Sequence, residues 1–545
     1  MHASAPAPLP ATFFLTTAID YVNAPPHLGH AYEKMACDTL ARFYKLAGIP
    51  TFFLTGTDEH GIKIQKNAHQ QGLSPQAFTD AMANHFKTCW HTCHVAYDDF
   101  VRTTQARHHH TVNELWQRLV AKGTIVKASY KARYCQGCEA FKTERELDEN
   151  GQCPIHLTTP DWVEEENYFF KLSQYKEALL AHYHANPTFV WPTHRQAEVL
   201  NMLEELEDIS VSRSKQAVSW GIPVPNDPDQ VIYVWIDALS NYLTGLGYAS
   251  PAADDPKGLY ATYWTTRTGD PNAVHVIGKD ILRFHAIYWP AMLLAADLPL
   301  PKQIVAHGFI NLNDRKMGKS TGNTLAPQDV LQHFNLPTAD ALRYYLLAQT
   351  PFGNDGNFTL DEMKLRINAD LANNLGNLLN RTLAMVKKYH QGCVPAVQAP
   401  PDEALQALLS PSPEVWQAMA EAYRGYGFHT VAELALARVD EANKLINERE
   451  PWTLYKNEQL AELATLMRAL LEVLAQTAVV LSPIMPNLTL ALWHQLGLSD
   501  EAWAAVSWET LGASPWQGGE PTSPTGPLLP RLDDDLVGAQ GKGKN

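Results

Sequence analysis

The apolar run Phe13-Phe14-Leu15-Thr16-Thr17-Ala18-Ile19 leads within a few residues into a second stretch, Ala31 to Leu46, whose apolar positions recur at helical spacing. A buried strand that feeds a helix through a short turn is the opening unit of a parallel sheet, because parallel neighbours need a crossover and a helix supplies it. The turn is Pro26-His27-Leu28-Gly29-His30. It sets two histidines about a glycine where backbone N–H groups and the positive end of the helix dipole favour phosphate. The alternation continues. Phe13–Val22, Thr51–Thr57 and Phe100–Thr103 read as strands, with helices near Ala31–Leu46 and Pro75–Trp90. From about Leu119 to Asp229 the pattern gives way to a segment rich in Cys, Glu, Lys and turn residues. It resumes with Val231–Ile236, Ala273–Ile277 and Gln303–His307. From Asp361 to Leu496 long helices take over, for example Asp361–Tyr389 and Leu460–Leu481, and read as a separate bundle. The final stretch from Gly512 is rich in Pro and Gly. It reads mostly as tail, with Pro527–Leu532 able to pack back on the body.

At 545 residues the chain exceeds what one hydrophobic core organises, so several domains are expected. A net charge of −15 argues against a protein that coats nucleic acid generally, yet leaves room for a local basic contact. The apolar run Ala286–Ala296 is too short to span a bilayer and contains Pro290, and Met1–Pro10 lacks the regions of a signal peptide. No membrane association and a cytoplasmic location are the expectations.

Cys135-Gln136-Gly137-Cys138 is followed, after fourteen residues, by Cys153-Pro154-Ile155-His156. Two knuckles of this spacing place three thiolates and an imidazole around one tetrahedral ion. The ligand set favours zinc, and a closed set of four implies a structural role. Cys37, Cys89, Cys93 and Cys393 lack such a context and read as packing residues. His108-His109-His110 reads as a solvated polar run, because consecutive helical residues point in different directions.

About 290 residues beyond the first turn lies Arg315-Lys316-Met317-Gly318-Lys319-Ser320, two lysines three apart in a Gly-containing loop that suits a mobile cationic clamp. Between the two motifs, Gly278-Lys279-Asp280 ends an apolar strand, where a carboxylate is well placed to accept ribose hydroxyls. The two outer motifs together resemble the signatures of the class I aminoacyl-tRNA synthetases. The stretches Thr16–Pro25, Gly56–Gly61 and Tyr233–Tyr242 are similar to the methionine-specific members, in the bacterial-type short form without a C-terminal dimerisation module. The resemblance runs from Phe13 to Leu496.

That resemblance implies an α/β fold: a Rossmann-like parallel-sheet catalytic domain, split by a zinc-binding insertion and followed by an α-helical anticodon-binding bundle. The expected divisions are residues 1–118 and 230–325 for the catalytic halves, 119–229 for the insertion and 326–360 for a connecting stem-contact segment. Residues 361–500 form the bundle and 501–545 the tail. The implied reaction joins methionine and ATP, with Mg²⁺, to methionyl-adenylate and then charges tRNA(Met) for initiation and elongation. His27, His30, Lys316 and Lys319 are the implied catalytic residues, and Gly29, Gly278, Asp280 and Ser320 join them in holding ATP. The family's methionine pocket corresponds to Ala18, Ile19, Tyr21, Asp58 (for the substrate ammonium), Arg213, Trp235, Ala238, Leu239, Tyr242, Ile281, Phe284 and His285. Its anticodon-reading positions match Asn377, Arg381 and Trp452. Two positions depart from the family: Gly318 stands where serine is usual, and Leu239 where proline is more common.

Other readings stay open at this point. They are a synthetase for another apolar amino acid, a small-substrate nucleotidyltransferase, and a catalytically silent zinc-stabilised RNA-binding protein. An insertion of this length is short for a hydrolytic editing domain, and a nucleotidyltransferase would have no use for the helical bundle. Because only 37 residues follow Trp508, with few apolar positions, a monomer is expected.

Overall fold

A computed structural model of the chain describes residues 9–138, 140–142, 144–250, 258–265, 272–317 and 322–533. Its centre is a parallel sheet of seven strands: β1 (Phe13–Thr17), β2 (Asp20–Tyr21), β3 (Thr51–Asp58), β4 (Asp99–Arg102), β5 (Val190–Trp191), β6 (Ala273–Gly278) and β7 (Gln303–His307). β1 lies between β3 and β6. β3 also pairs with β4 and, at its carboxyl end, with β2, while β6 is followed outward by β7 and β5. Every residue of β1 is buried, as expected for a parallel strand covered on both faces. The chain leaves β1 towards β3 on one side and later builds β6 and β7 on the other. The crevice beyond the carboxyl ends of β1 and β6 is therefore the topological switch point, where open α/β sheets bind ligands.

Two expectations are corrected here. Val231–Ile236 is not one strand of the main sheet. Asp227–Ile232 forms the middle of a small antiparallel sheet with Ser212–Ser214 and Pro223–Val224, and Val234–Leu239 is a helix, α2. A short apolar run does not separate strand from buried helix by periodicity. The strand that joins the main sheet between β4 and β6 is instead the two-residue β5, within the segment 119–229. Before it, the segment forms a long antiparallel pair, Ile125–Cys135 with Asp161–Phe170.

The first helix, α1 (Leu28–Leu46), is buried along most of its length because the sheet covers one side and the helical region the other. Phe43 stacks on Tyr423 with ring centroids 4.6 Å apart, and Thr39 Oγ1 donates to the Pro483 carbonyl at 3.1 Å. The tightest link is Arg343, which is fully buried in the helix Asp340–Gln349. Its guanidinium donates to Asp38 Oδ2 at 2.6 Å, to Thr39 Oγ1 at 3.1 Å, and to the carbonyls of Cys93, Pro483 and Ile484 at 2.8–3.1 Å.

The bundle contains α3 (Gly376–Tyr389), α4 (Phe428–Arg449), α5 (Pro451–Lys456) and α6 (Leu460–Leu481). α6 is long and apolar enough to cross a membrane, a candidate beyond the run at Ala286–Ala296, but its apolar window lies wholly inside the protein as a core helix. The C-terminal stretch is not a loose tail as far as residue 533. The Val394 N–H donates to the Glu520 carbonyl and the Gly519 N–H to the Val394 carbonyl. Leu532 and Asn368 exchange two hydrogen bonds of 2.7 and 2.9 Å, and Trp516, Leu529 and Leu532 are buried.

Candidate active site

The carboxyl ends of β1, β3, β6 and β7 open into one cleft of about 1010 Å³. It brings together Ala18, Ile19, Tyr21, His27, Gly29 and His30 from the first turn, Asp58 from β3, and Gly278, Asp280, Ile281, Phe284 and His285 beyond β6. Arg213, Trp235, Ala238, Leu239, Tyr242 and Lys316 complete the lining among the sequence candidates. Lys319 and Ser320, with Gly318, lie outside the described residues. Asn377, Arg381 and Trp452 belong to the bundle.

The first motif is a helix cap with chemical consequences. His27, extended at φ −133°, is the N-cap of α1. Its Nδ1 accepts from the Gly29 N–H at 3.1 Å, and the His30 Nδ1 accepts from the His27 N–H at 3.2 Å. An imidazole that accepts at Nδ1 carries its proton on Nε2 when neutral, so the cap fixes one tautomer on both rings. A side chain on Gly29 would begin 2.9 Å from His27 Cε1, so the glycine is needed for the His27 ring to fold over the helix start. Met317 Cε lies 3.8 Å from the same point, so the second motif approaches the first at this turn. Lys316 Nζ sits 4.1 Å from the Phe309 ring centroid. Asp280 curls back beside Gly278, its Oδ1 2.8 Å from where a side chain on that glycine would begin, so a larger residue there would displace the carboxylate from this position.

Beneath the cap lies a buried charge cluster that the sequence reading did not single out. Lys34 Nζ donates to Asp20 Oδ1 at 2.7 Å, Glu33 Oε1 at 2.8 Å and the Ala18 carbonyl at 3.1 Å. His307 Nε2 is 3.0 Å from Glu33 Oε2. Burial alone would raise the Glu33 carboxyl, but Lys34 and then His307 outweigh it and hold it below its ordinary value. Burial alone would lower the Lys34 ammonium, and the charges of Asp20 and Glu33 reverse that and raise it. The cluster ties α1 to β2 and β7 under the cleft. The one sequence signal was the adjacent charged pair Glu33-Lys34 between the apolar positions Ala31-Tyr32 and Met35-Ala36 of α1; its partner His307 is 274 residues away.

A second cluster aims the Asp58 loop. Glu59, between Asp58 and His60, is gripped by Arg102 through two hydrogen bonds of 2.7 and 2.9 Å and by Thr57 and Thr104 at 2.6 Å. The Asp237 carboxylate in α2 meets His60 Nδ1 at 2.6 Å and His108 Nε2 at 2.7 Å. Burial alone would push the Asp237 carboxyl up, but the two histidines outweigh it and hold it well below the usual range. His108 is therefore not part of a solvated run. It is fully buried, facing Asp237 on one nitrogen and Thr244 on the other, while His110 is exposed. Asp237 thus binds the helix of Trp235, Ala238 and Leu239 to the loop of Asp58.

The aromatic end of the cleft is compact. Trp235 stacks on Phe284 at 3.6 Å between centroids and 6° between planes. Tyr242 and His285 are joined at 2.7 Å, and His285 Nδ1 is 3.0 Å from the Ile281 carbonyl. Burial pushes His285 down to about 4, so the ring is neutral at pH 7, donates from Nδ1 to that carbonyl and accepts the Tyr242 O–H on Nε2. A π-helical turn over Phe284–Tyr288 carries Phe284 and His285 at the cleft. Arg213 Nη1 donates to Ser210 and Ser212 oxygens at 2.7–3.3 Å, and its guanidinium lies 4.3 Å from the Tyr233 ring centroid, at the cleft wall.

The knuckle residues Gly137, Cys138, Ile155 and His156 form part of the same wall. The ligand atoms of Cys135, Cys138, Cys153 and His156 all lie within 4.8 Å of one another. Cys138 and Cys153 sulfurs are 3.5 Å apart, and the three sulfurs are 3.4–3.8 Å from His156 Nδ1. A zinc tetrahedron with bonds of about 2.0–2.3 Å has edges of about 3.3–3.8 Å, so the four residues fit the ion. Gly137 is required, since a Cβ there would stand 2.4 Å from the His156 ring. Elemental analysis of chelator-free protein should return one zinc per chain, lost in Cys135→Ser; metal-free protein would overturn the assignment.

Comparison with known proteins agrees with this architecture. The model for tRNA synthetases class I (M) matches residues 13–158 and 148–383, and that for the anticodon-binding domain of tRNA ligase matches 406–522. The methionine–tRNA ligase of Thermosynechococcus vestitus is 46% identical over 504 residues, covering 92% of this chain and 93% of that protein. That of Streptomyces coelicolor is 42% identical over 541 residues, covering 96% and 97%. Among solved structures, Mycobacterium tuberculosis methionyl-tRNA synthetase in complex with methionyl-adenylate superposes with a TM-score of 0.87 at 37% identity, covering 95% of this chain and 100% of that one. Sequence likeness over nearly the whole length, on the same fold, makes the chain a member of the methionine–tRNA ligase family of class I aminoacyl-tRNA synthetases.

Proposed function

We propose that the protein charges tRNA(Met) with methionine in two steps, for initiation and elongation in the cytoplasm. A carboxylate oxygen of methionine attacks the α-phosphorus of ATP in line, and the bond to pyrophosphate breaks to leave methionyl-adenylate. A ribose hydroxyl at the tRNA 3′ end then attacks the carbonyl carbon, and AMP leaves. The observation that carries this reading is the convergence of the His27–His30 cap, Asp280, Lys316 and the Trp235–His285 aromatic group on one cleft. His27 and His30 offer Nε2–H to phosphate oxygens, Asp280 takes the ribose, and Lys316 and Lys319 close over the phosphates with Mg²⁺. Asp58 holds the substrate ammonium, and Tyr242 and His285 meet the thioether in a pocket that suits a long unbranched side chain. Zinc holds the knuckle as a structural ion, and Asn377, Arg381 and Trp452 meet the anticodon by hydrogen bonding and stacking.

Pyrophosphate exchange tested with all twenty amino acids should respond to methionine alone, with ATP and Mg²⁺ required. Stronger exchange with isoleucine, valine or leucine would reject the amino-acid assignment. We also propose that the protein works as a monomer. Light scattering at micromolar concentration should give a mass near 60.7 kDa, and a species of twice that mass surviving dilution would refute it.

A further inference from the structure

Beyond Trp452, the bundle carries a second exposed aromatic that no motif pointed to. α4 ends at Arg449, and Glu450 turns the chain through the left-handed region (φ 43°) into α5, a turn closed by Thr453 Oγ1 donating to Glu450 Oε2 at 2.9 Å. In α5 Pro451 is buried and Leu454 packs half-buried against the core, while Trp452 and Tyr455 are 48% and 47% exposed. Three residues apart on a helix, they are surface neighbours. Tyr455 is also held from behind: its ring lies 4.7 Å from that of Tyr389, at 30° between planes, and Lys388 Nζ is 5.1 Å from the Tyr389 ring centroid.

Tyr389 ends α3, on which Asn377, Arg381 and Lys388 share one face at helical spacing. Arg381 donates to Asn447 Oδ1 of α4 at 2.8 Å, which locks that face to the helix leading into α5. α3 contains Arg381, Lys387 and Lys388 and no carboxylate, so its charge suits a phosphate backbone. A ring backed by another ring, open on its outer side and next to a cationic helix, is a ready platform for an unstacked base.

We propose that Tyr455, backed by Tyr389, is a second stacking subsite for a single-stranded nucleotide of the tRNA anticodon loop, adjacent to the one on Trp452. The proposal rests on the reading of this bundle as the anticodon end. Here Tyr389 is a positioning residue, and Tyr455 makes the contact.

The test is aminoacylation by the full chain, with pyrophosphate exchange as the internal control. Tyr455→Ala should raise the KM for tRNA about five- to thirty-fold and leave exchange unchanged, and Tyr455→Phe should stay within about twofold of the parent because a phenyl ring keeps the π-face. A series of tRNAs, each lacking one anticodon-loop base, then locates the contact. At one position Tyr455→Ala should cost nothing further, and that position should differ from the one that silences Trp452→Ala. An unchanged KM for Tyr455→Ala, beside a raised one for Trp452→Ala, would overturn this proposal alone. An unchanged KM for both would reject the anticodon reading itself. A loss that persists on every abasic tRNA, or that maps to the same base as Trp452, would make Tyr455 a mere support and also overturn it. Altered self-association in Tyr455→Ala, with KM untouched, would assign the face to a second copy of the chain instead.

Discussion

Replacing Arg343 with methionine is expected to cost about 3 kcal/mol of stability, towards the lower end of what breaking a buried ion pair costs. The guanidinium is fully buried and serves two side chains and three carbonyls, so its loss strands several polar groups that water does not reach. The lower end is chosen because Asp38 keeps other partners: Arg42 Nε donates to the same oxygen at 2.7 Å and the Ala96 N–H to the other at 2.8 Å. Urea unfolding should show the first transition moved to lower denaturant. An unchanged midpoint would mean that the region relaxes enough to dispense with the link between α1 and the bundle.

Lys319→Ala is expected to slow methionine activation about 10²–10³-fold, the usual effect of removing one group that meets developing transition-state charge. Because the extra charge of the pentavalent phosphorus exists only in that state, the affinity for methionine should change little. Pre-steady-state adenylate formation, measured beside equilibrium methionine binding, separates the two. A matched loss in both would place Lys319 in ground-state binding. Gly318 gives the comparison added interest, since the hydroxyl usual at that position in the family is absent.

The sheet was legible from local sequence because each strand–turn–helix unit carries its own periodicity. Most of the cleft was legible because its residues sit in short contiguous motifs at strand ends. What escaped was what depends on distant partners. Asp237 looked like an ordinary residue between Ile236 and Ala238 until His60 and His108 arrived from elements 177 and 129 residues away. His108 looked solvated because neighbouring histidines face different ways, and here one faces the core and another the solvent. Val231–Ile236 was misread because six apolar residues satisfy strand and helix alike, and the break at Tyr233 is set by tertiary packing. The stretch after Gly512 was judged by its Pro and Gly content, which disfavours regular elements but does not prevent an extended segment from lying along the bundle and bonding through its backbone.

The short strand β5 sets a limit on how the enzyme can be trimmed. Val190 and Trp191 pair with Ile304 and Val305 of β7, and the Ile304 N–H donates to the Phe189 carbonyl at 2.7 Å. Excising the whole of 119–229 would uncap β7 and turn a buried apolar strand into an open edge, a template for sheet-to-sheet aggregation. A cut confined to the hairpin between Ile125 and Phe170 removes the metal knuckle, and with it part of the cleft wall, but leaves that edge covered, so it is the smaller deletion that keeps the sheet closed.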